Sequence, residues 1–247
     1  MARAVETHDL TRAFGDFIAV DRVNLTVDYG EIFGFLGPNG AGKTTMIRML
    51  CGLLKPTSGK GTVNGFDITT EPERIKRTIG YMSQRFSLYA DLTGRQNLTF
   101  YGTVYGLSSK ELKARIAELA AQLDLAEFID RITGSLPVGW RQRLALAAAI
   151  LHRPSIVFLD EPTAGVDPAY RRTFWELLYR LADEGTTLFV TTHYMDEAEF
   201  CRRVCIMHQG KPIAIGPPHE LVETYGEDNL EATFIKLITT NQGNATR

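Results

Sequence analysis

One eight-residue run, Gly37-Pro38-Asn39-Gly40-Ala41-Gly42-Lys43-Thr44, limits what this chain can fold into more than any other stretch. It follows Ile32-Phe33-Gly34-Phe35-Leu36, apolar on both faces and therefore suited to a central strand covered by helices. After it, Met46, Ile47, Met49, Leu50, Leu53 and Leu54 recur at helical spacing until Pro56-Thr57-Ser58-Gly59 stops the pattern. Buried strand, glycine-rich loop and helix in that order make a phosphate-binding loop. Backbone N–H groups from Asn39, Gly40, Ala41 and Gly42 through Thr45 would close around phosphate oxygens, and the helix start adds positive potential. Lys43 would reach the β- and γ-phosphates, and Thr44 would give its hydroxyl to Mg²⁺. Gly42 keeps a Cβ out of the cradle.

A second buried run, Ile156-Val157-Phe158-Leu159, ends in Asp160-Glu161. That places two acids at the carboxyl end of a strand, the edge where open α/β sheets bind ligands. Asp160 would hold Mg²⁺, directly or through water, and Glu161 would orient and polarise an attacking water. Thr187-Leu188-Phe189-Val190 reads as another buried strand, reached through a helical stretch from about Ala169 to Ala182. Earlier, Val23, Leu25 and Val27 alternate with polar neighbours, as in half-buried antiparallel sheet. Helical patterns dominate from 88 to 153, where Ser108 and Glu111 form a capping box ahead of Leu112, Ile116, Leu119 and Leu123 on one face. The reading is one α/β domain over 1–247. A mostly parallel core with an antiparallel β subdomain takes 1–87 and 154–247, a helical subdomain is inserted at 88–153, and a short amphipathic helix (Leu230, Phe234, Leu237, Ile238) precedes a frayed tail at 239–247.

Charge and apolar patterning exclude several functions. Lys+Arg 27 against Asp+Glu 29 gives a formal net charge of −2, so no global positive field exists to hold a nucleic acid. The longest apolar stretch, Leu144 to Leu151, is far short of the roughly 18–20 residues needed to cross a bilayer. No apolar run of the signal-peptide kind occupies the N-terminus, which points to a cytoplasmic chain. Cys51, Cys201 and Cys205 are too few and too unevenly placed for a disulfide framework or a paired-cysteine zinc site. Asn244-Ala245-Thr246 matches a glycosylation acceptor by chance.

Together these residues resemble the P-loop ATPases of the ATP-binding cassette (ABC) family that drive membrane transporters, over nearly the whole chain. The resemblance implies ATP and Mg²⁺ as cofactors and assigns further roles. Phe14, with Phe17 as the neighbouring alternative, would stack on adenine. Gln84, in Tyr81-Met82-Ser83-Gln84, would touch Mg²⁺ or the attacking water and sense the membrane partner. Asp167, at the end of Glu161-Pro162-Thr163-Ala164-Gly165-Val166-Asp167, would face the opposite subunit of a dimer. His193, after Thr191-Thr192, would hydrogen-bond the γ-phosphate. Phe86, Leu88 and Tyr89 would either line the groove for a coupling helix of the membrane subunit or belong to the subdomain core.

One stretch departs from the family. The signature that normally reads Leu-Ser-Gly-Gly is here Leu136-Pro137-Val138-Gly139, its register held by Gln142-Arg143 and the apolar helix that follows. In the family this loop closes over the γ-phosphate bound by the other subunit. Pro137 offers neither hydroxyl nor N–H, and Val138 puts a branched Cβ where close approach is needed. A homodimer would carry two altered sites, whereas a heterodimer could pair this chain with a standard signature. The Leu-Pro-hydrophobic-Gly-Trp variant resembles ATPases of bacterial multidrug exporters. It implies an ABC-2 type permease partner, a periplasmic adaptor as a further component, and a place on the inner face of the cell membrane.

Overall fold

A computed structural model describes residues 3–84 and 87–244, the side chains of 241–244 excepted. Two long strands open the chain, β1 (Arg3–Phe14) and β2 (Phe17–Asp28), followed by the short β3 (Ile32–Leu36) and helix α1 (Lys43–Leu50). Then come β4 (Ser58–Val63), β5 (Phe66–Asp67), α2 (Pro72–Thr78) and β6 (Ile79–Met82). Helices α3 (Gly94–Val104), α4 (Ser109–Gln122) and α5 (Val138–Ile150) follow as a helical insert between β6 and the next strand. The chain returns through β7 (Ile156–Asp160), α6 (Pro168–Asp183), β8 (Thr187–Thr192), α7 (Met195–Ala198), β9 (Arg203–His208) and β10 (Lys211–Gly216). It closes with α8 (Pro218–Tyr225) and α9 (Leu230–Asn244).

Two sheets result. The antiparallel one has the order β2-β1-β4-β5, and the other has the order β10-β9-β3-β8-β7-β6, parallel except for β10. Strands β3, β7 and β8 are buried along their whole length because each face meets a different core. Phe33, Phe35, Phe158 and Phe189 point to the side covered by α1 and the antiparallel sheet, with ring centroids 4.8–5.9 Å apart. Ile32, Leu36, Val157, Leu159, Leu188 and Val190 point to the side covered by the helical insert. This is the physical content of an apolar run that does not alternate.

Register places the chemistry. β8 lies between β3 and β7, with Thr192 abreast of Leu36 and Thr191 abreast of both Phe35 and Asp160. The loops leaving β3, β8, β7 and β6 therefore emerge side by side at one sheet edge, as ligand sites of open α/β sheets require.

Two boundaries differ from the sequence reading. α1 stops at Leu50 instead of running through Leu54, because the N–H groups of Leu53 and Leu54 both fold back onto the Arg48 carbonyl and close the helix. α9 continues to Asn244, past Thr239, where fraying was expected. The hydroxyls of Thr239 and Thr240 bond back to the carbonyls of Ile235 and Lys236, so these polar residues are satisfied within the helix. Residues 245–247, the rest of that tail and of the Asn244-Ala245-Thr246 match, lie outside the described residues. The capping box at Ser108 and Glu111 is present, and a second, Thr93 with Gln96, starts α3. All three cysteines are buried and free. Among the described residues no helix is long and apolar enough to cross a membrane.

Candidate functional site

A cavity of about 330 Å³ opens at this edge, walled by Asn39 to Thr45, Gln84, Glu161, Ala19 and Phe17. Its floor is the start of α1. The N-cap Gly42 has φ +102° and supplies no side-chain cap, and no acid occupies the first turn, so the first N–H groups of the helix have no competing anion. A Cβ at Gly42 would sit 2.4 Å from the Ala19 carbonyl oxygen, which excludes any other residue there. Lys43 reaches back across the loop, donating from Nζ to the carbonyls of Gly37 at 2.7 Å and Pro38 at 3.2 Å. Burial pushes its pKa down, while Glu161 and Asp160 oppose that shift.

Asp160, 1% exposed, is held between two hydroxyls that donate to Oδ1: Thr191 at 2.7 Å and Thr44 at 3.1 Å. Burial raises its pKa against the lowering effect of these bonds, and the neighbouring Glu161 adds to the rise. A divalent cation placed here would relieve that cost. The adjoining hydroxyl and carboxylate are the hard oxygen donors Mg²⁺ prefers, and among the described residues no group of three or more acidic, histidine or cysteine side chains is placed to hold a metal ion by itself. Such a sparse donor set fits an ion that keeps waters and borrows phosphate oxygens.

Glu161 is the hub. Its φ of +50°, unusual for a residue with a Cβ, turns the chain out of the sheet immediately after Asp160. Thr191 stabilises the turn: its Oγ1 accepts the Glu161 N–H at 2.8 Å while donating to Asp160. The Glu161 carboxylate then meets three side chains from different segments. Gln84 Nε2 donates to Oε2 at 2.9 Å, His193 Nδ1 lies 3.4 Å from the same oxygen, and Lys43 Nζ lies 3.7 Å from Oε1. Lys43, Thr44, Gln84, Asp160, Glu161 and His193, far apart in sequence, thus converge on one place. Thr191 was not singled out by sequence reasoning; its signal was the Thr-Thr pair closing a buried strand just before His193.

Other expected residues fall elsewhere. Phe17, not Phe14, lies on the cavity wall; Phe14 is stacked beneath the Arg12 guanidinium at 4.4 Å. Phe14 ends β1 and Phe17 begins β2, directly opposite each other across the turn. Leu88 is buried in the core of the helical insert, so it is not a groove residue, whereas Tyr89 is exposed and packs edge-on against Phe100. Phe86 lies outside the described residues. Asp167 caps α6, its carboxylate accepting the Tyr170 N–H at 2.9 Å.

The signature residues do not touch this cavity. Leu136 is buried, Pro137 caps α5, and Val138 is half-buried as its first residue. Gly139 faces Tyr170, whose hydroxyl donates to the Gly139 carbonyl; a Cβ at Gly139 would lie 2.4 Å from the ring carbon Cζ. Gln142 donates to the Ala164 carbonyl at 3.0 Å, tying the signature helix to the loop that ends in Asp167.

The family model for ABC transporters matches residues 20–164, from β2 through the phosphate loop to the loop after Glu161. A probable multidrug ABC transporter ATP-binding protein, YbhF of Escherichia coli (strain K12), is 46% identical over 95% of this chain, which spans 41% of that protein's length. The daunorubicin/doxorubicin resistance ATP-binding protein DrrA of Streptomyces peucetius is 41% identical over 92% of this chain and 69% of its own. Among solved structures, an ATP-binding subunit of an ABC transporter superposes with a TM-score of 0.85 at 27% identity, covering 95% of this chain and 99% of the other.

Proposed function

The chain belongs to the ABC transporter family, and from that premise we propose that it is an ATP-hydrolysing motor subunit of an exporter. The observation that carries the reading is the meeting of Lys43, Gln84 and His193 on the Glu161 carboxylate, with the Thr44–Asp160 pair beside them, at the edge of the cavity lined by the glycine-rich loop. Backbone N–H groups of residues 39–45 bind the β- and γ-phosphates, and Lys43 exchanges its two loop carbonyls for phosphate oxygens. Phe17 provides the stacking face for adenine. Thr44 and Asp160 would hold Mg²⁺, which when bound neutralises phosphate charge, and Gln84 would reach the same ion. Glu161 orients and polarises the attacking water, positioned by Gln84 and His193.

Two such chains, or this chain and a close relative, enclose nucleotide between the phosphate loop of one and Leu136 to Gln142 of the other, with Asp167 at the contact. The permease partner is of the ABC-2 type, with a periplasmic adaptor as a further component, and the chain sits on the inner face of the cell membrane. The names of the drug-resistance relatives and the exposed Tyr89–Phe100 pair on the helical insert support docking there. ATP added to the Glu161→Gln variant should convert monomer to a closed dimer, seen by size-exclusion chromatography with light scattering. A monomer unchanged at saturating Mg·ATP rules out the homodimer, and a chain that does not bind Mg·ATP at all overturns the reading.

Pro137 and Val138 favour one alternative, a regulatory subunit that binds ATP and hardly hydrolyses it. Substituting Pro137→Ser with Val138→Gly should then raise phosphate release sharply. No gain from that pair leaves the motor reading standing.

A further inference from the structure

One buried carboxylate near the site is unused by the roles above. Glu197 lies on α7, four residues beyond His193, and is 1% exposed. A carboxylate taken out of water needs its oxygens satisfied, and here each has a specific partner. Oε1 accepts the Thr163 hydroxyl, and Oε2 accepts the Thr192 hydroxyl at 2.6 Å. Arg171 of α6 brings its Nε to 3.2 Å from Oε1, lays its guanidinium 3.9 Å over the Tyr194 ring, and pairs with Asp196 at 3.1 Å.

What these partners carry gives the arrangement its meaning. Thr163 is two residues past Glu161, and Thr192 immediately precedes His193. Thr192 Oγ1 also accepts the Tyr194 N–H at 3.0 Å, so the chain is pinned on both sides of the histidine. Two loops leaving different strands, one bearing the proposed base and the other the histidine 3.4 Å from it, are thus joined through a single side chain beneath them. Thr191 ties Glu161 to β8 from above by its own bonds. A pair of apolar residues could fill the same volume, but it would leave the spacing of the two loops to packing alone.

We propose that Glu197 is a positioning residue for hydrolysis, setting the Glu161–His193 spacing by holding Thr163 and Thr192 at once. This rests on the motor reading. The group touches neither nucleotide nor water, so its loss should act on turnover and spare binding. A misplacement of about 1 Å at reacting groups can cost on the order of a hundredfold in rate.

The test uses the full chain and Mg·ATP, with phosphate release counted per nucleotide-binding site, sites being titrated by calorimetry. In Glu197→Gln one oxygen acceptor becomes a donor and cannot accept from a threonine; kcat should fall about tenfold or more while the Kd for Mg·ATP stays within about threefold. Thr163→Val and Thr192→Val, which leave the Glu197–Arg171 pair in place, should each lower kcat in the same way, and adding either to Glu197→Gln should cost little more. The two threonine variants decide the question if Glu197→Gln does not fold. A Glu197 serving only the fold would lower thermal stability and the number of binding sites, with kcat per site unchanged in all three variants, and that result overturns the proposal. Wild-type protein that fails to hydrolyse Mg·ATP overturns the motor reading itself, and this proposal with it.

Discussion

The phosphate-loop segment and the signature segment both present the start of a helix, yet they are held in opposite ways. Around Gly42 the structure is local: Met46 N–H bonds to the Gly42 carbonyl at 2.9 Å, Ala41 N–H to Pro38 at 3.1 Å, and the lysine that spans the loop comes from the same few residues. Around Gly139 almost everything is distant in sequence. Tyr170 grips the Gly139 carbonyl, Gln142 reaches Ala164, and Arg143 reaches Asp124 at 2.7 Å, the Leu123 carbonyl at 3.2 Å and the Tyr170 hydroxyl at 2.9 Å. The first arrangement suits an anion cradle shaped mainly by its own backbone, with the Gly210 N–H bonded to the Ala41 carbonyl at 3.1 Å as an outside tie. The second ties α5 to α6 and to the Asp167 loop, and Pro137 and Val138 leave those ties in place.

The largest expected effect falls on the local half. At a concentration of a hundred times its Kd, Mg·ATP should stabilise the wild-type chain by about 2.7 kcal/mol. Lys43→Ala should lose most of that shift and slow hydrolysis by about a hundredfold or more, since the lysine is the cation proposed to meet the phosphates. Calorimetry and thermal melts check this, and a variant that binds Mg·ATP like wild type would break the assignment of the cradle.

Next in size is a substitution in the other half. Gly139→Ala drives a methyl into the Tyr170 ring and should cost about 1–3 kcal/mol by urea unfolding. In a Tyr170→Ala background the same change should reverse sign and stabilise by up to about 1 kcal/mol, because alanine is then simply the better helix former. If Gly139→Ala behaves alike in both backgrounds, the long-range latch is not what holds α5.

The smallest effect concerns where the signature helix rejoins the sheet. His152, two residues past α5, stacks on Tyr105 with centroids 3.7 Å apart and places Nε2 3.0 Å from the Ile79 carbonyl at the start of β6. Burial chiefly, with Arg115 adding to it, pushes its pKa down to about 4. The unfolded chain therefore binds a proton that the folded chain refuses between pH 6.5 and about 4, so the stability tied to this histidine is complete above that window and is lost as pH falls through it. A His152→Phe variant should show a shallower decline of the melting temperature across that interval. An unchanged slope would mean that the junction carries no acid sensitivity of its own.

Legibility followed the same division. The phosphate loop was readable because a contiguous segment builds the site with its own backbone, and β3, β7 and β8 were readable because strands covered on both faces must be apolar throughout. Asp160 and Glu161 could be named from their place after a buried run. That Glu161 turns away from the sheet at φ +50°, held by Thr191, depends on a neighbouring strand and left no mark within Asp160-Glu161 itself. Phe14 and Phe17 are alike in type and three residues apart, and only the folded structure shows that Phe17 lines the cavity. Leu88 and Tyr89 are adjacent, and packing alone buried one and exposed the other.

By itself the sequence determined the order of strand, glycine-rich loop and helix, the place of the two acids and the altered signature, since each is written in neighbouring residues whose backbone or spacing does the work. Only the tertiary structure decided which side chains meet. Strand order set β8 between β3 and β7, and that placement, not any motif, brings Thr191 to Asp160, His193 to Glu161 and Glu197 beneath them both. The reason is that hydrogen bonds and ion pairs act over a few ångströms in space, whereas the pairs Thr191–Asp160 and Thr163–Glu197 stand 31 and 34 residues apart along the chain.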